Sequence, residues 1–572
     1  MENGGYGMGS ASLVPPRIRA NPWVVLTVLT LGAFMITLDT SIVYVALPKI
    51  ETGLNANFDQ ILWVVNGYML TYAVLLITAG RLGDLFGPKH LFIGGLIVFT
   101  LASLACGLSQ SAGELIVFRV IQAVGGAMLT PQSLSAITSL FPPERRGAAF
   151  GVWGISAGLA VAMGPIIGGF LVTSFDWQAI FFLNVPIGLF AVCAAYLLMP
   201  TIKTRVHHDL DVKGLILVSC GLFMGVFALI EGQTYSWGPL VSAGNFWIGS
   251  SHWGVLSIYS LLAFSGIVLA IFVFEERRAV EPLIPFELLR ERNFSIANLV
   301  SLNTSFALTS MWIPVILLLQ SIMGWSALHA GVTVIPYSVG VMVMAPLAGR
   351  LSDRVGAKYI LLFGFTLSTI GILLLAMDLS LIMTSWTLAV PLAIGGAAMG
   401  CTMVPLTTVA MRNVKPEMAG AASGFINTVR QVGGVIGTAI IGAVLANQVV
   451  AQLPSQATKA ARSLPIATRQ RFIASLLHMS KATERFGAGQ RPRIPLAPGT
   501  PAAVAARIVT AAQDAFAYAF LDGARTCLVV VAIVMALGIP SVMLLQRRRR
   551  VSPAARVPRS DQPVPVASLS GR

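Results

Sequence analysis

The chain has 572 residues, of which 56% are hydrophobic and 11% charged, and 38 Lys and Arg against 23 Asp and Glu leave a net charge of +15. So little charge on so long a chain excludes an ordinary water-soluble domain and indicates an integral membrane protein. The basic balance requires no nucleic-acid partner, because much of it lies in short loops between apolar runs and in the C-terminal tail.

The first apolar run begins near Trp23 and is long enough to span a bilayer, which takes about 20 apolar residues. It contains Leu38-Asp39-Thr40-Ser41-Ile42-Val43-Tyr44-Val45-Ala46-Leu47-Pro48. A carboxylate this deep costs roughly 2.5–3.5 kcal/mol on insertion scales, and such an acid commonly faces a cavity or a partner and handles protons or cations. No small-residue cleavage pattern follows the run, which therefore reads as a retained span and not a signal peptide.

Runs of spanning length continue along the chain. With the first at 23–48, they fall at 60–80, 90–109, 113–138, 148–172, 179–200, 213–231, 253–274, 295–320, 327–349, 358–377, 384–411, 421–447 and 517–545, fourteen in all. Basic residues gather in alternate loops: Arg17 and Arg19, Arg81 and Lys89, Arg145 and Arg146, Lys203 to Lys213, Arg277 to Arg292, Arg350 to Lys358, Arg412 and Lys415, and the run 547–550. Lys49 is an exception. The positive-inside rule then predicts both termini in the cytoplasm, a result that requires an even number of spans. Trp177, Trp237, Trp247, Trp253, Trp325 and Trp386 gather near the outer ends of spans, as an interfacial aromatic belt would.

Residues 448–516 are external by this topology yet carry nine Lys and Arg. Loops longer than about 60 residues escape the charge rule. Within this loop, 468–480 reads either as a short amphipathic helix on the outer surface or as part of a linker. The five cysteines all fall in apolar segments and the six histidines show no ligand spacing, so no disulfide framework and no metal site is expected.

The sequence repeats itself. Gly80-Arg81-Leu82-Gly83-Asp84-Leu85-Phe86-Gly87-Pro88-Lys89 recurs as Gly349-Arg350-Leu351-Ser352-Asp353-Arg354-Val355-Gly356-Ala357-Lys358, and Pro143-Glu144, Gly147 and Gly151 recur as Pro416-Glu417, Gly420 and Gly424. Spans one to six thus correspond to spans nine to fourteen. The predicted fold is all-α, an N-terminal six-helix bundle over 1–200 and a C-terminal one over 279–546, with a cytoplasmic linker and two inserted helices at 201–278 and a cytoplasmic basic tail at 547–572. Two like bundles place a binding site at their interface near the bilayer midplane, with alternating access by rocking.

These residues resemble the major facilitator superfamily, and within it the fourteen-span drug–proton antiporter branch. The Gly80 decapeptide looks like the superfamily signature between its second and third helices. The Asp39 run resembles L-D-x-T-x-V-N-V-A-L-P, with Ser41 and Tyr44 as departures. Arg119-Val120-Ile121-Gln122-Ala123-Val124-Gly125-Gly126 resembles the fourth-helix R-x-x-Q-G-x-G, with Ala123 departing. Gly164-Pro165-Ile166-Ile167-Gly168-Gly169 resembles the fifth-helix antiporter motif, Trp177 to Gly188 a W-R-W-I-F-x-I-N-V-P-I-G run, and Arg430-Gln431-Val432-Gly433-Gly434 a thirteenth-helix motif. The resemblance implies proton-coupled efflux of amphipathic or cationic drug-like small molecules across the cytoplasmic membrane, powered by the proton-motive force without a cofactor, by a protein that is not an enzyme.

The motif residues carry distinct expectations. Asp39 is the one acid deep in spans one to six and is the proton-carrier candidate, with Arg119 its fixed cationic partner; the alternative is a buried pair that only locks helices together. Arg119, Gln122 and Ala123 share a helical face that Gly126 extends, and small residues there would admit a neighbouring helix. Asp84, Arg81, Asp353 and Arg350 are expected as gate latches, or else as turn caps. Gly147, Gly151, Gly154 and Gly158 form a smooth stripe on span five. Beyond it, Gly164, Pro165, Gly168 and Gly169 are expected to set a bend and a contact that no larger side chain fits, which by resemblance marks an exporter. Candidate substrate-lining residues are Tyr68, Tyr72, Gln122, Asn303, Met311, Trp312, Gln320 and Arg430, set against a plain core role. The partners expected are a small molecule, protons and the lipid bilayer; a periplasmic partner is not identified. The competing readings are export of one dedicated metabolite (antibiotic, siderophore or lipid precursor) and a non-transport membrane sensor or enzyme. A nucleotide loop of the G-x-x-x-x-G-K-S/T type is absent, which disfavours ATP-driven export.

Overall fold

The computed structural model describes residues 21–56, 58–142, 145–201, 211–232, 257–279, 282–283, 286–415, 418–482 and 502–546. These residues are helical with short connections. The N-terminal set is α1 (Pro22–Gly53), α2 (Phe58–Phe86), α3 (Pro88–Leu108), α4 (Ala112–Leu140), α5 (Arg146–Ser174), α6 (Ala179–Phe182) and α7 (Asn184–Leu198). Then come α8 (Val212–Glu231) and α9 (Ile258–Glu276). The C-terminal set is α10 (Phe286–Arg290), α11 (Arg292–Leu317) with a π turn at Leu318–Ile322, α12 (Ala327–Thr333), α13 (Ile335–Val355), α14 (Ala357–Asp378), α15 (Ser385–Met411), α16 (Ala419–Ala460), α17 (Ile466–Ala482) and α18 (Ala502–Met543).

Thirteen helices among the described residues are long and apolar enough to cross a membrane. Helix α5, 29 residues long, adds a fourteenth by length. The basic tail at 547–550, Trp237, Trp247, Trp253 and the Pro-Glu pairs at 143–144 and 416–417 lie outside the described residues. Of the remaining tryptophans, Trp386 is exposed, as an interfacial side chain would be, whereas Trp177 is buried beside Gly53 and edge-on to Phe181.

The repeat is visible as paired geometry. Gly87 separates α2 from α3 at φ 86°, and Gly356 separates α13 from α14 at φ 105°. Both lie in the left-handed half of backbone space that a side chain disfavours, so the shared glycine makes the shared break. Two residues on, Lys89 donates to the carbonyls of Tyr196 and Met199 at the end of α7, at 2.9 and 2.6 Å. Lys358 donates likewise to the carbonyls of Met543 and Leu545 at the end of α18. In each half the lysine read as a loop charge satisfies the open end of that half's last helix, where the helix dipole favours a cation.

The halves meet crosswise. Helix α2 packs on α16, and α5 packs on α13 and α15, so the second and fifth spans of each repeat face their opposites. The α8–α9 hairpin covers the α2–α16 seam: Val218, Leu222, Val226 and Phe272 pack with Leu70, Ala73, Val74 and Ile77 of α2 and with Val432 and Val435 of α16.

One expectation changes. Helices α16 and α18 have 42 residues each, about 63 Å at 1.5 Å per residue, against a hydrocarbon core of about 30 Å. The spans expected at 421–447 and 517–545 are segments of longer helices. Much of the expected loop 448–516 is a helical projection, in which buried Leu453 and Ala457 of α16 and Ala511, Ala512 and Ala515 of α18 belong to the main core cluster. Gln456 donates to Asp522 across the pair at 2.8 Å. The segment read as a helix or a linker is helical α17, packed on α16. The end of an apolar run thus marks where lipid ends, not where the helix ends.

Candidate functional site

Asp39 and Arg119 meet inside the N-terminal bundle, 2% and 1% exposed. Arg119 Nη1 donates to Asp39 Oδ2 at 2.5 Å. Gln122 Nε2 and Asn184 Nδ2 donate to Asp39 Oδ1 at 2.9 and 2.8 Å. Arg119 also donates to Gln122 Oε1 at 2.7 Å and, through Nε, to the Val64 carbonyl at 3.3 Å. Asn184 donates further to Ser103 Oγ at 3.0 Å, and Ser103 donates to the Phe181 carbonyl at 2.9 Å. Three helices, α1, α4 and α7, thereby meet at one carboxylate, and α2 and α3 join them through Val64 and Ser103. All its partners donate, and Oδ1 already accepts two bonds, so a proton on that oxygen would displace one of its donors.

Local sequence explains this convergence. Arg119 and Gln122 stand one turn apart on α4, so both reach α1. The close helix approach depends on Gly125 and Gly95, since a Cβ on Gly125 would come within 2.8 Å of the Gly95 carbonyl oxygen and 2.5 Å of the Phe99 amide. Gly126, expected to admit a helix, instead makes room for a side chain: a Cβ there would stand 2.9 Å from the Tyr68 hydroxyl. The Tyr68 ring in turn lies 4.2 Å from the Arg119 guanidinium carbon. The role of Asn184 and Ser103 was not legible as such, although Asn184 stands in the quoted N-V-P stretch; an uncharged polar residue in an apolar run does not announce its partner.

At the end of the molecule that carries the basic loops, the two bundles are tied together. Asp84, at the end of α2, accepts from the Gly420 and Ala421 amides at the start of α16, both at 2.7 Å. A carboxylate on a helix N-terminus satisfies open amides and meets the positive end of the dipole. Arg146 donates to the carbonyls of Met411 and Arg412 at the end of α15, at 3.0 and 3.2 Å, and to Thr138 and Phe141 of its own bundle at 2.8 and 3.1 Å. Ser423 donates to the Pro131 carbonyl at 2.9 Å. Arg146 and Ser423 were not foreseen as ties. Arg81 is buried beside Asp84, Arg350 is exposed, and the side chain of Asp353 lies outside the described residues.

The glycine stripe of α5 faces the other bundle. Cβ atoms on Gly151, Gly154 and Gly158 would meet Pro346, Val404 and Val341 at 3.0–3.1 Å. In the antiporter motif the glycines differ. A Cβ on Gly164 would overlap the Ser41 hydroxyl and stand 2.6 Å from Ser41 Cβ, whereas at Gly168 and Gly169 the nearest atoms are 3.5 and 3.6 Å away, ordinary contact. The expectation that no larger side chain fits anywhere in the motif therefore narrows to Gly164; the side chain of Pro165 lies outside the described residues. Gly164→Ala is expected to separate α5 from α1 at a typical overpacking cost of about 1–3 kcal/mol. Gly168→Ala should be tolerated. Thermal midpoints and efflux rates of the two variants check this; equal behaviour would mean that Ser41 simply turns aside.

Gln122 belongs to the Asp39 network and Tyr68 flanks it, Tyr72 stacks on Tyr68, and Arg430 lies beyond, bonded to Thr407. Four other candidates do not. Asn303 donates to the Val534 carbonyl of α18 at 2.7 Å, inside its own bundle. Met311 is buried core, Trp312 stands edge-on to Tyr337 of α13 at 5.1 Å, and Gln320 is exposed on the π turn.

The family model described as Major Facilitator Superfamily matches residues 29–438. The chain is 40% identical over 434 residues to an uncharacterized MFS-type transporter of Mycobacterium tuberculosis, covering 76% of this chain and 72% of that protein. It is 34% identical over 437 residues to the tetracenomycin C resistance and export protein of Streptomyces glaucescens, covering 76% and 77%. It is 30% identical over 507 residues to multidrug resistance protein Stp of M. tuberculosis, covering 88% of each. Among solved structures, the human organic anion transporter MFSD10 superposes with a TM-score of 0.56 at 12% identity, over 93% of this chain and 100% of that one. The proton:xylose symporter XylE superposes with a TM-score of 0.52, also at 12% identity, over 74% and 88%, so both likenesses concern the fold alone.

Proposed function

The chain belongs to the Major Facilitator Superfamily, and from that premise we propose that it exports amphipathic drug-like small molecules across the cytoplasmic membrane in exchange for protons. It is a multi-pass membrane transporter and not an enzyme. The observation that carries the proton coupling is the buried Asp39–Arg119 pair with its Gln122 and Asn184 donors. A titratable group there can exchange a proton, and an arginine cannot; the pair therefore has one member that cycles and one that stays charged. Loss of the Asp39 charge would free Arg119 and rearrange α1 against α4, a step that can be felt at the bundle interface.

Alternating access then needs the ties at the basic end to break. In this reading Asp84 and Arg146 latch the cytoplasmic side, and the proton enters from the opposite side. In this reading the two bundles that rock are 1–200 and 279–546, with 201–278 inserted between them. Relatives bearing multidrug names support a broad substrate range. The second reading, export of one dedicated product, draws support from relatives whose names carry a single antibiotic.

Two measurements test the proposal. Inverted vesicles should accumulate a fluorescent amphiphile when acidified inside, and a protonophore should abolish it; accumulation indifferent to the protonophore would end the proton-coupled reading. A transporter that moves one antibiotic and none of a dye panel would select the dedicated exporter. For topology, a cysteine at exposed Ser455 should label from outside intact cells, and one at Ser552 should not. Labelling of Ser552 from outside would invert the model.

A further inference from the structure

Arg430 lies eleven residues into α16 from Ala419, about 17 Å along the helix at 1.5 Å per residue. A guanidinium at that depth is costly unless something compensates its charge. Its Nη2 donates to Thr407 Oγ1 at 2.7 Å, a hydroxyl that itself donates to the Met403 carbonyl. Its Nε is buried with no hydrogen-bond partner among the described residues. The titratable side chain that acts on it electrostatically is Tyr72, not a carboxylate. The interior acids of the opposite bundle are already engaged, Asp39 by Arg119, Gln122 and Asn184, and Asp84 by the amides of α16.

The surroundings are aromatic. The Tyr68 and Tyr72 rings stack with centroids 6.0 Å apart and planes 10° from parallel. They form a column that begins at the Arg119 guanidinium, 4.2 Å from the Tyr68 ring, and ends at Tyr72, the titratable side chain that acts on Arg430. The Tyr72 hydroxyl is bonded to Thr130 at 2.8 Å, and the buried Tyr68 hydroxyl has the Thr40 side chain as its hydrogen-bonding neighbour. The interface thus presents a buried cation that keeps one N–H without a partner among the described residues, beside a flat π surface.

Resting on the reading that the chain moves small molecules, we infer that Arg430 anchors the acidic group of an amphipathic substrate whose ring lies against Tyr68 and Tyr72. A planar guanidinium pairs with a carboxylate through parallel N–H bonds, and an aromatic flank adds apolar area. Charge counting points the same way. The Asp39–Arg119 pair sums to zero while Asp39 is ionised, and Arg430 leaves the region at +1; a proton on Asp39 raises this to +2. A cationic substrate is opposed in both states and an anionic one is favoured in both. Transport acquires a signature too. One anion leaving for one proton entering moves two positive charges inward, whereas a monovalent cation leaving for one proton moves none.

The test uses the purified full chain in lipid nanodiscs with two probes, a dansyl carboxylic acid and a dansyl amine of equal chain length. The acid is expected to bind at least about tenfold more tightly than the amine. Arg430→Gln should erase that preference, and Arg430→Lys, which keeps the charge but not the planar fork, should retain part of it with an unchanged thermal midpoint. Amine binding as tight as acid binding, unchanged acid binding by Arg430→Gln, or no binding of either probe overturns the inference. In proteoliposomes, acid export by the parent should rise with an inside-negative potential at zero pH difference; indifference to the potential also overturns it. A protein that fails these tests yet still pumps a cationic dye in a protonophore-sensitive way keeps its export function and loses only this substrate class.

Discussion

Asp39→Asn is expected to insert and stay helical while losing proton-driven transport altogether. The amide cannot take up and release a proton, so the cycle has no carrier. It also changes the network. The asparagine oxygen can keep the Gln122 and Asn184 bonds, but its NH2 then faces the Arg119 donor that now sits 2.5 Å from Asp39. Arg119 would retain only Gln122 Oε1 and the Val64 carbonyl. Breaking a buried pair by removing one partner typically costs about 3–5 kcal/mol. A lower thermal midpoint is therefore expected together with the lost coupling, and the two losses have different causes. The double variant Asp39→Asn/Arg119→Gln removes the stranded charge and should recover much of the midpoint without recovering transport. Arg119→Lys should also be impaired, since one ammonium cannot serve Asp39, Gln122 and the Val64 carbonyl together. The measurement is fluorescent-substrate uptake by inverted vesicles under an imposed pH gradient, with thermal midpoints alongside. Full proton-dependent uptake by Asp39→Asn would remove this carboxylate from the mechanism.

The second large effect is expected at the crosswise contacts. A Cβ on Gly80 would overlap the Gly420 carbonyl oxygen and approach Gly424 Cα to 3.1 Å; one on Gly349 would overlap the Gly147 carbonyl oxygen. These are backbone atoms on the opposite bundle and cannot turn aside. Gly80→Ala and Gly349→Ala should each weaken closure at the end that carries the basic loops by about 1–3 kcal/mol. At roughly 1.4 kcal/mol per decade, the population closed at that end shifts by up to a hundredfold or so against the open one. Asp84→Asn should act in the same direction by removing the charge held on the α16 amides, at about 0.5–2 kcal/mol. Gly266→Ala is the control, because nothing lies within 4 Å of a Cβ there. Spin labels at exposed Phe86 and Lys415 read the ends of the two bundles that carry the basic loops. Longer label separations with lost efflux are expected for the interface variants alone; parent-like separations in Gly80→Ala would mean that the contact does not govern access.

The acid at 39 and the base at 119 were legible because an ionisable group in an apolar run stands out whatever the fold. So was the repeat, since ten matched positions need no structure to be seen. What the repeat does in space was not legible: that Lys89 and Lys358 close the ends of α7 and α18, or that Gly80 meets Gly420 while Gly349 meets Gly147, depends on how helices far apart in sequence are brought together. Spacing identified the face that Gly151, Gly154 and Gly158 present, but spacing carries no gap widths. It therefore could not separate Gly164, which has no room for a methyl, from Gly168, which does. Asn303 and Met311 had suitable chemistry for a ligand site and were placed elsewhere by packing.

The 42-residue α16 begins at the Asp84 contact and runs on past the membrane to Ala460. A single helix thus connects the Asp84 tie to a tip at the opposite end of the molecule, and it behaves as a lever. From Gly420 to Thr458 is about 57 Å at 1.5 Å per residue, so a tilt of roughly 10° about the inner end swings the tip by about 10 Å. The projection is a pointer to the gate at Asp84: a fluorophore at Thr458 would report its opening from the far end of the molecule, and a binder clamping the projection would hold the transporter in one access state without entering its substrate path.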